Sequence, residues 1–298
     1  MLATETESKR LPDWLKRPPG KGDRVKTVKG VLRKNALHTV CEEARCPNLG
    51  ECFEKRQATF LILGENCTRN CGFCSISNAP PRQLDPDEPS RVAEAAKKMG
   101  LNYVVVTSVT RDDLPDGGAR HFAETIGEIK KIRDGIYVEV LTPDFGGDLN
   151  AVDRVCKAAP EVYNHNIETV PDLYSKVRPQ ADYTGSLTLI NYVKKHFPHI
   201  TTKSGLMLGL GEKKRDILKT LEDLKEAGCD LVTIGQYMRP TKKNLPVVEY
   251  IHPDLFDELE RAGKKMGFTG IYAGPLIRSS FNAEYFNKEV TVGRILQN

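Results

Sequence analysis

Short apolar runs rich in Val and Ile alternate with amphipathic stretches along this chain from residue 59 onward. The runs ATFLILG (58–64), YVVVTSV (103–109), IYVEVL (136–141), VYNHNIE (162–168), SGLMLGL (204–210) and LVTIGQY (231–237) have the length and β-branched content of strands buried on both faces. Between them, Val92, Ala95, Ala96 and Met99 recur at helical spacing, as do Phe122, Ile126 and Ile129. Ile217, Leu221 and Leu224 repeat the pattern, and Gly228 supplies a stop. Repeated strand–helix units predict parallel strands joined by right-handed crossovers. The polar, Gly-rich segments CTRNCGFC, SVTRDDLPDGGA, LTPDFGG, NHNIET, GLGE and QYMRPT all follow or end strands. A β/α barrel gathers such segments on one rim, whereas a doubly wound sheet concentrates them at one switch point. The pattern therefore predicts a partial (β/α)6 barrel over 58–267, with an N-terminal extension over 1–57 and a C-terminal one over 268–298.

Composition narrows the class. The 298 residues are 39% hydrophobic and 28% charged, an ordinary globular balance, and no apolar run reaches a membrane-spanning length. MLATETESKR lacks a secretion core and carries two acids, so a cytoplasmic location without membrane association is expected. The net charge of +4 is concentrated: ten Lys/Arg against Asp13 and Asp23 fall within 9–34. The body from residue 35 is left slightly acidic, which argues against nucleic-acid binding. The basic arm reads either as a solvated wrap or as a docking segment for an acidic partner.

Eight cysteines include two tight groups, Cys41/Cys46/Cys52 and Cys67/Cys71/Cys74; Cys156 and Cys229 stand alone as small buried hydrophobes. Clustered thiols in a chain of this class point to metal or catalysis rather than disulfides. Cys67-x3-Cys71-x2-Cys74 crowds three thiols on irregular backbone after the first strand. A closed zinc site wants four ligands, and only Asn66 or Asn70 stands near as a fourth. A [4Fe–4S] cube held by three cysteines instead keeps one iron open for a substrate or cofactor.

This triad, with Phe73 before its last cysteine, resembles the signature of the radical S-adenosylmethionine (SAM) superfamily. Paired with the upstream Cys41-x4-Cys46-x5-Cys52, it resembles the lipoyl synthase family within it. The likeness extends through NALHTVCEEARCPN, ATFLILG, TRDDLPDGGA, NHNIETV, TKSGLMLGLGE, IGQYMRPTKK and AGPLIRSSF. The resemblance implies two [4Fe–4S] clusters per chain, one on Cys67, Cys71 and Cys74 that receives SAM. The other is implied on Cys41, Cys46, Cys52 and Ser280, the serine belonging to the motif Arg278-Ser279-Ser280-Phe281. In that family the second cluster is consumed as sulfur donor, which gives Ser280 a catalytic role as a hard, weakly held iron ligand. The family's usual tyrosine is Phe281 here, and the superfamily's Gly-Gly-Glu stretch reads Gly117-Gly118-Ala119.

By the same resemblance, Phe73, Gly117, Gly118, Asn166 and Glu168 would contact SAM, and Lys203 would meet either the SAM carboxylate or a buried acid. The implied reaction inserts two sulfurs at C6 and C8 of a protein-bound octanoyl-lysine. The implied partners are octanoylated lipoyl carrier domains (2-oxoacid dehydrogenase E2 subunits and the glycine-cleavage H protein), an electron donor such as ferredoxin or flavodoxin, and an iron–sulfur carrier. His38 and His165 are expected to be structural, and Asp112 and Asp113 to pair with Arg111. The remaining alternatives are another radical SAM enzyme with an auxiliary cluster, and a zinc-organised interaction module.

Overall fold

The computed structural model describes residues 10–17 and 22–285. Upstream of the barrel lie α1 (Asp23–Lys34), β1 (His38–Thr39), α2 (Val40–Glu43) and α3 (Leu49–Glu54). The repeating part runs β2 (Thr59–Ile62), α4 (Glu88–Met99), β3 (Tyr103–Ser108), α5 (Ala119–Lys130), β4 (Tyr137–Leu141) and α6 (Leu149–Lys157). It continues β5 (Val162–Asn164), α7 (Tyr174–Val177), α8 (Tyr183–His196), β6 (Thr201–Leu208), α9 (Lys214–Glu226), β7 (Leu231–Gln236), α10 (Pro253–Lys265) and β8 (Gly270–Gly274).

All six expected strands form, and they pair in chain order as neighbours, parallel throughout. Sequential order without a reversal is the topology of an opened barrel, so every strand ends on one rim. Two strands were not foreseen. β1 adds antiparallel to β2, with His38 opposite Leu61. β8 extends the parallel sheet beyond β7, with Val232 opposite Ile271, inside the segment expected to be an extension after 267. Its glycines and single buried apolar residue, Ile271, give a weak strand pattern.

The N-terminal arm departs from the solvated wrap in its second half. Val25, Val28 and Leu32 fall at helical spacing and are buried, so α1 lies on the body with its cations on the outer face. The expected helices form where the periodicity placed them. α4 buries Val92, Ala95, Ala96 and Met99 and stops at Gly100, whose φ of 68° is left-handed. α5 buries Phe122, Ile126 and Ile129, and α9 buries Ile217, Leu221 and Leu224. Cys156 and Cys229 are buried core residues. No described helix is long and apolar enough to cross a membrane.

Candidate active site at the rim

The loop after β2 carries Cys67, Cys71 and Cys74, and it is braced rather than free. Arg69 is only 8% exposed and spans two neighbouring loops. Its guanidinium donates to Asp112 at 2.8 and 2.9 Å and to Asp144 at 2.7 Å twice. Burial alone would pull the arginine's pKa down, but hydrogen bonds to both carboxylates outweigh this and hold the charge firmly. Asp112 therefore pairs with Arg69, not with Arg111 as expected, because Arg69 and Thr68 of the cysteine loop both donate to it; of the two acids Arg111 takes Asp113. Gly72 fits where a Cβ would stand 2.8 Å from Leu245, and its backbone bonds to Val177 and Leu245.

The thiols sit in an environment suited to metal-bound sulfur. Cys67 Sγ accepts from the backbone N–H of Arg69 at 3.4 Å and of Thr110 at 3.3 Å. Burial pushes Cys74 up to about 12, helped by the charges of Cys71 and Cys67, and Cys71 is pushed up for the same first reason. The upstream triad repeats this. Thr39 caps α2 by accepting from Glu42 N–H, which sets Cys41 in the first turn. Burial pushes Cys41 up to about 11 and Cys52 up to about 12, with neighbouring thiols adding to both. Buried thiols crowded this way resist becoming thiolates by themselves; a polycationic iron centre reverses that balance and takes them deprotonated. Nitrogen donors to sulfur are how such centres are tuned. The donor set fits iron–sulfur clusters. Among the described residues, no three His, Cys, Asp or Glu side chains are arranged to hold a single metal ion.

The two triads are joined across the rim. Ser75 donates to the Glu43 carbonyl at 2.7 Å, and Asn48 donates to the Leu276 carbonyl at 2.7 Å. The turn after β8 is thereby drawn against the upstream triad. Gly235 permits this approach, because a Cβ there would lie 2.0 Å from the Ile277 carbonyl. One cavity of about 270 Å³ is bordered by Cys41, Cys46, Cys52, Cys74, Ser280, Phe73, Asn166 and Glu168. Leu141, Leu206, Met207 and Ile277 give it apolar walls. Cys67 and Cys71 do not border it. A second cavity, of about 210 Å³, opens toward the start of β3 and is bordered by Cys41, Cys52 and Ser280.

Asn166 and Glu168 form a unit: Asn166 Nδ2 donates to Glu168 Oε1 at 3.0 Å, and Arg178 holds the Asn166 carbonyl at 2.9 Å. Glu168 has a left-handed φ of 66° and is hydrogen-bonded on both sides to β6. Burial raises its pKa.

Three sequence-derived candidates stand elsewhere. Lys203 is 2% exposed and meets the second of its two expected partners, a buried acid: it donates to Glu139 at 2.8 Å inside the barrel. Gly117 and Gly118 are positive-φ residues packed against Phe145 and Leu63, away from the cavity, and Gly118 caps α5. His165 is buried between the Thr142 carbonyl and Ser186, and burial lowers its pKa to about 4, so it stays neutral as a structural group. His38 is half-buried beside Glu43. Sequence reasoning missed Ser279, Asn164, Arg69 and Arg178. Ser279, Asn164 and Arg69 find partners far along the chain, although Arg69 lies inside the cysteine motif; Arg178 bonds nearby, to Asn166 and Tyr174, with no motif to mark it.

The sequence fits the family model of the radical SAM superfamily over residues 61–224 and that of the N-terminal domain of lipoyl synthase over residues 2–46. It is 53% identical over 275 residues to the lipoyl synthase of Caldanaerobacter subterraneus subsp. tengcongensis, covering 92% of this chain and 96% of that one. With the lipoyl synthase of Rubrobacter xylanophilus it shares 51% over 284 residues, 95% and 88% of the two chains. In fold it is similar to Streptococcus suis SuiB bound to S-adenosylmethionine (TM-score 0.58, 13% identity, 76% of this chain and 53% of that one). It also resembles the methylornithine synthase PylB (TM-score 0.51, 12% identity, 93% and 94%). Near half-identity to named lipoyl synthases over almost the whole chain, on a radical SAM fold with both cysteine triads facing one rim, establishes that the chain belongs to the lipoyl synthase family of the radical SAM superfamily.

Proposed function

We propose that this chain inserts two sulfur atoms at C6 and C8 of an octanoyl group carried on a lysine of a lipoyl carrier domain. The observation that carries the proposal is an apolar-walled cavity bordered by the upstream triad, by Cys74 of the first, by Ser280 and by the Asn166–Glu168 pair. A hydrocarbon chain suits those walls, and filling the cavity with that chain would keep water from a reactive primary radical.

Cys67, Cys71 and Cys74 would hold one [4Fe–4S] cluster, and Cys41, Cys46, Cys52 and Ser280 the second. When bound, these groups supply the reductive cleavage of SAM and the sulfur that enters the product. The protein's own residues do the rest. Arg69, pinned by Asp112 and Asp144, keeps the first cysteine loop in register with the barrel rim. Asn166 and Glu168 offer an amide and a carboxylate for the polar groups of SAM, and Phe73 closes the wall next to Cys74. Ser280 would present an oxygen where every other ligand is sulfur, and an oxygen ligand would hold iron less firmly than thiolate. The outer cations of α1 suit docking of an acidic carrier domain by charge complementarity.

The test is anaerobic. Reconstituted protein should carry about eight irons per chain, as two cubanes require. Incubated with SAM, a reductant and an octanoyl-lysyl peptide, it should shift the peptide mass by two sulfurs. A colourless, zinc-loaded protein with no mass shift would sink the reading.

A further inference from the structure

A hydroxyl next to the implied cluster ligand does something that its neighbour does not. Ser279 Oγ accepts from Asn164 Nδ2 at 2.7 Å and donates to Asn166 Oδ1 at 2.9 Å. Asn164 Nδ2 also leans on Glu139 Oε1 at 3.3 Å, which Lys203 and Tyr103 hold in turn. The amide of Asn166 is therefore fixed at both ends, its oxygen by Ser279 and its nitrogen by Glu168. Gly205 leaves room for this: a Cβ there would stand 2.7 Å from Asn166 Oδ1.

We propose that Ser279 is a positioning residue that ties the turn after β8 to the Asn166–Glu168 pair, so that the amide implied to contact SAM is held in place from the turn that also carries Ser280. Ser279 acts through Asn166, by way of the hydrogen bond to its oxygen. Its donated hydrogen bond restrains the oxygen end of the Asn166 amide, as Glu168 restrains the nitrogen end; without it the side chain is held at one end only and loses its fixed tilt toward the cavity. This inference rests on the reading that Asn166 contacts SAM, and the experiment separates the two.

Equilibrium SAM binding is measured on the full-length, anaerobically reconstituted chain, together with iron content. Loss of one neutral hydrogen bond predicts that Ser279→Ala weakens SAM binding about fivefold to tenfold. It should still retain about eight irons per chain. In an Asn166→Ala background, Ser279→Ala should add nothing further, because its effect passes through that amide. Should Ser279→Ala fold poorly, Asn164→Ala approaches the same unit from behind the cavity wall and should weaken SAM about threefold. Unchanged binding in Ser279→Ala beside weakened binding in Asn166→Ala overturns the inference and leaves the reading of Asn166 intact. Unchanged binding in Asn166→Ala removes that reading, and this inference with it. Additive losses, or loss of iron in Ser279→Ala, would mean a different or merely structural role and also overturn it.

Discussion

At the scale of single residues, the barrel interior holds charges that must be paired to exist there. Lys203 and Glu139 are both buried, and Tyr103 donates to the second carboxylate oxygen at 2.6 Å. Truncating one member strands the other, which typically costs about 3–5 kcal/mol. Lys203→Met should therefore lower the denaturation midpoint sharply, and adding Glu139→Gln should recover most of the loss. SAM affinity in the double variant should stay near that of the parent; a large drop would return Lys203 to the binding site. Arg69 offers a second test, with a sign fixed by its partners. The Arg69 hydrogen bonds hold Asp112 below the usual carboxylate range; at Asp144, burial works the other way and the same arginine overcomes it. A depressed native pKa contributes stability that is present above the unfolded value, about 4 for aspartate, and is lost as pH falls through the native values. Protein stability should thus decline on acidification below about pH 4, and Arg69→Gln should flatten that part of the profile in chemical denaturation.

Among the elements, β8 and the turn that follows it decide whether the site can form, since they deliver Ser279 and Ser280 to the rim. The delivery depends on Gly235, because any side chain there meets the Ile277 carbonyl. Gly235→Ala should force the turn outward, destabilise by about 1–3 kcal/mol as overpacking does, and lower iron from about eight toward about four per chain as the second cluster loses its serine. An unchanged iron count would detach the turn from the auxiliary site. The elements also mark what a sequence can display. β2 to β7 are legible because Val and Ile runs and 3.6-residue periodicity are local signals. β8 was hidden because its stability comes from pairing with β7 rather than from its own side chains. The cysteine triads were visible by spacing, and the resemblance supplied Ser280. Pairings such as Arg69–Asp144 or Ser279–Asn166 join residues 75 and 113 positions apart and leave no local trace. Lys203 shows the converse: a motif residue close to the rim in sequence points into the barrel, because strand register sets its direction.

Over the whole molecule, the two triads rest on largely separate supports around one cavity, which Cys74 borders from the first and Cys41, Cys46 and Cys52 from the second. The first triad hangs on the rim through Arg69, Gly72 and two backbone amides on Cys67. The second has its own supports in the Thr39 cap and in Asn48 against the turn after β8, while Ser75 against Glu43 ties the two loops together. Because few supports are common to both, removing one triad should leave the other folded and loaded. Cys67→Ala should keep about four irons per chain but cleave no SAM, since the implied SAM-binding iron would be lost. Cys46→Ala should also keep about four irons, yet cleave SAM and release 5′-deoxyadenosine without adding sulfur to an octanoyl-lysyl peptide. The two variants have the same iron count and opposite product patterns, so nucleoside release and peptide mass, read from one anaerobic incubation, distinguish them. Equal loss of SAM cleavage in both would mean that the triads function as a single unit, coupled through the Ser75–Glu43 tie, and their otherwise separate supports would then have no counterpart in the chemistry.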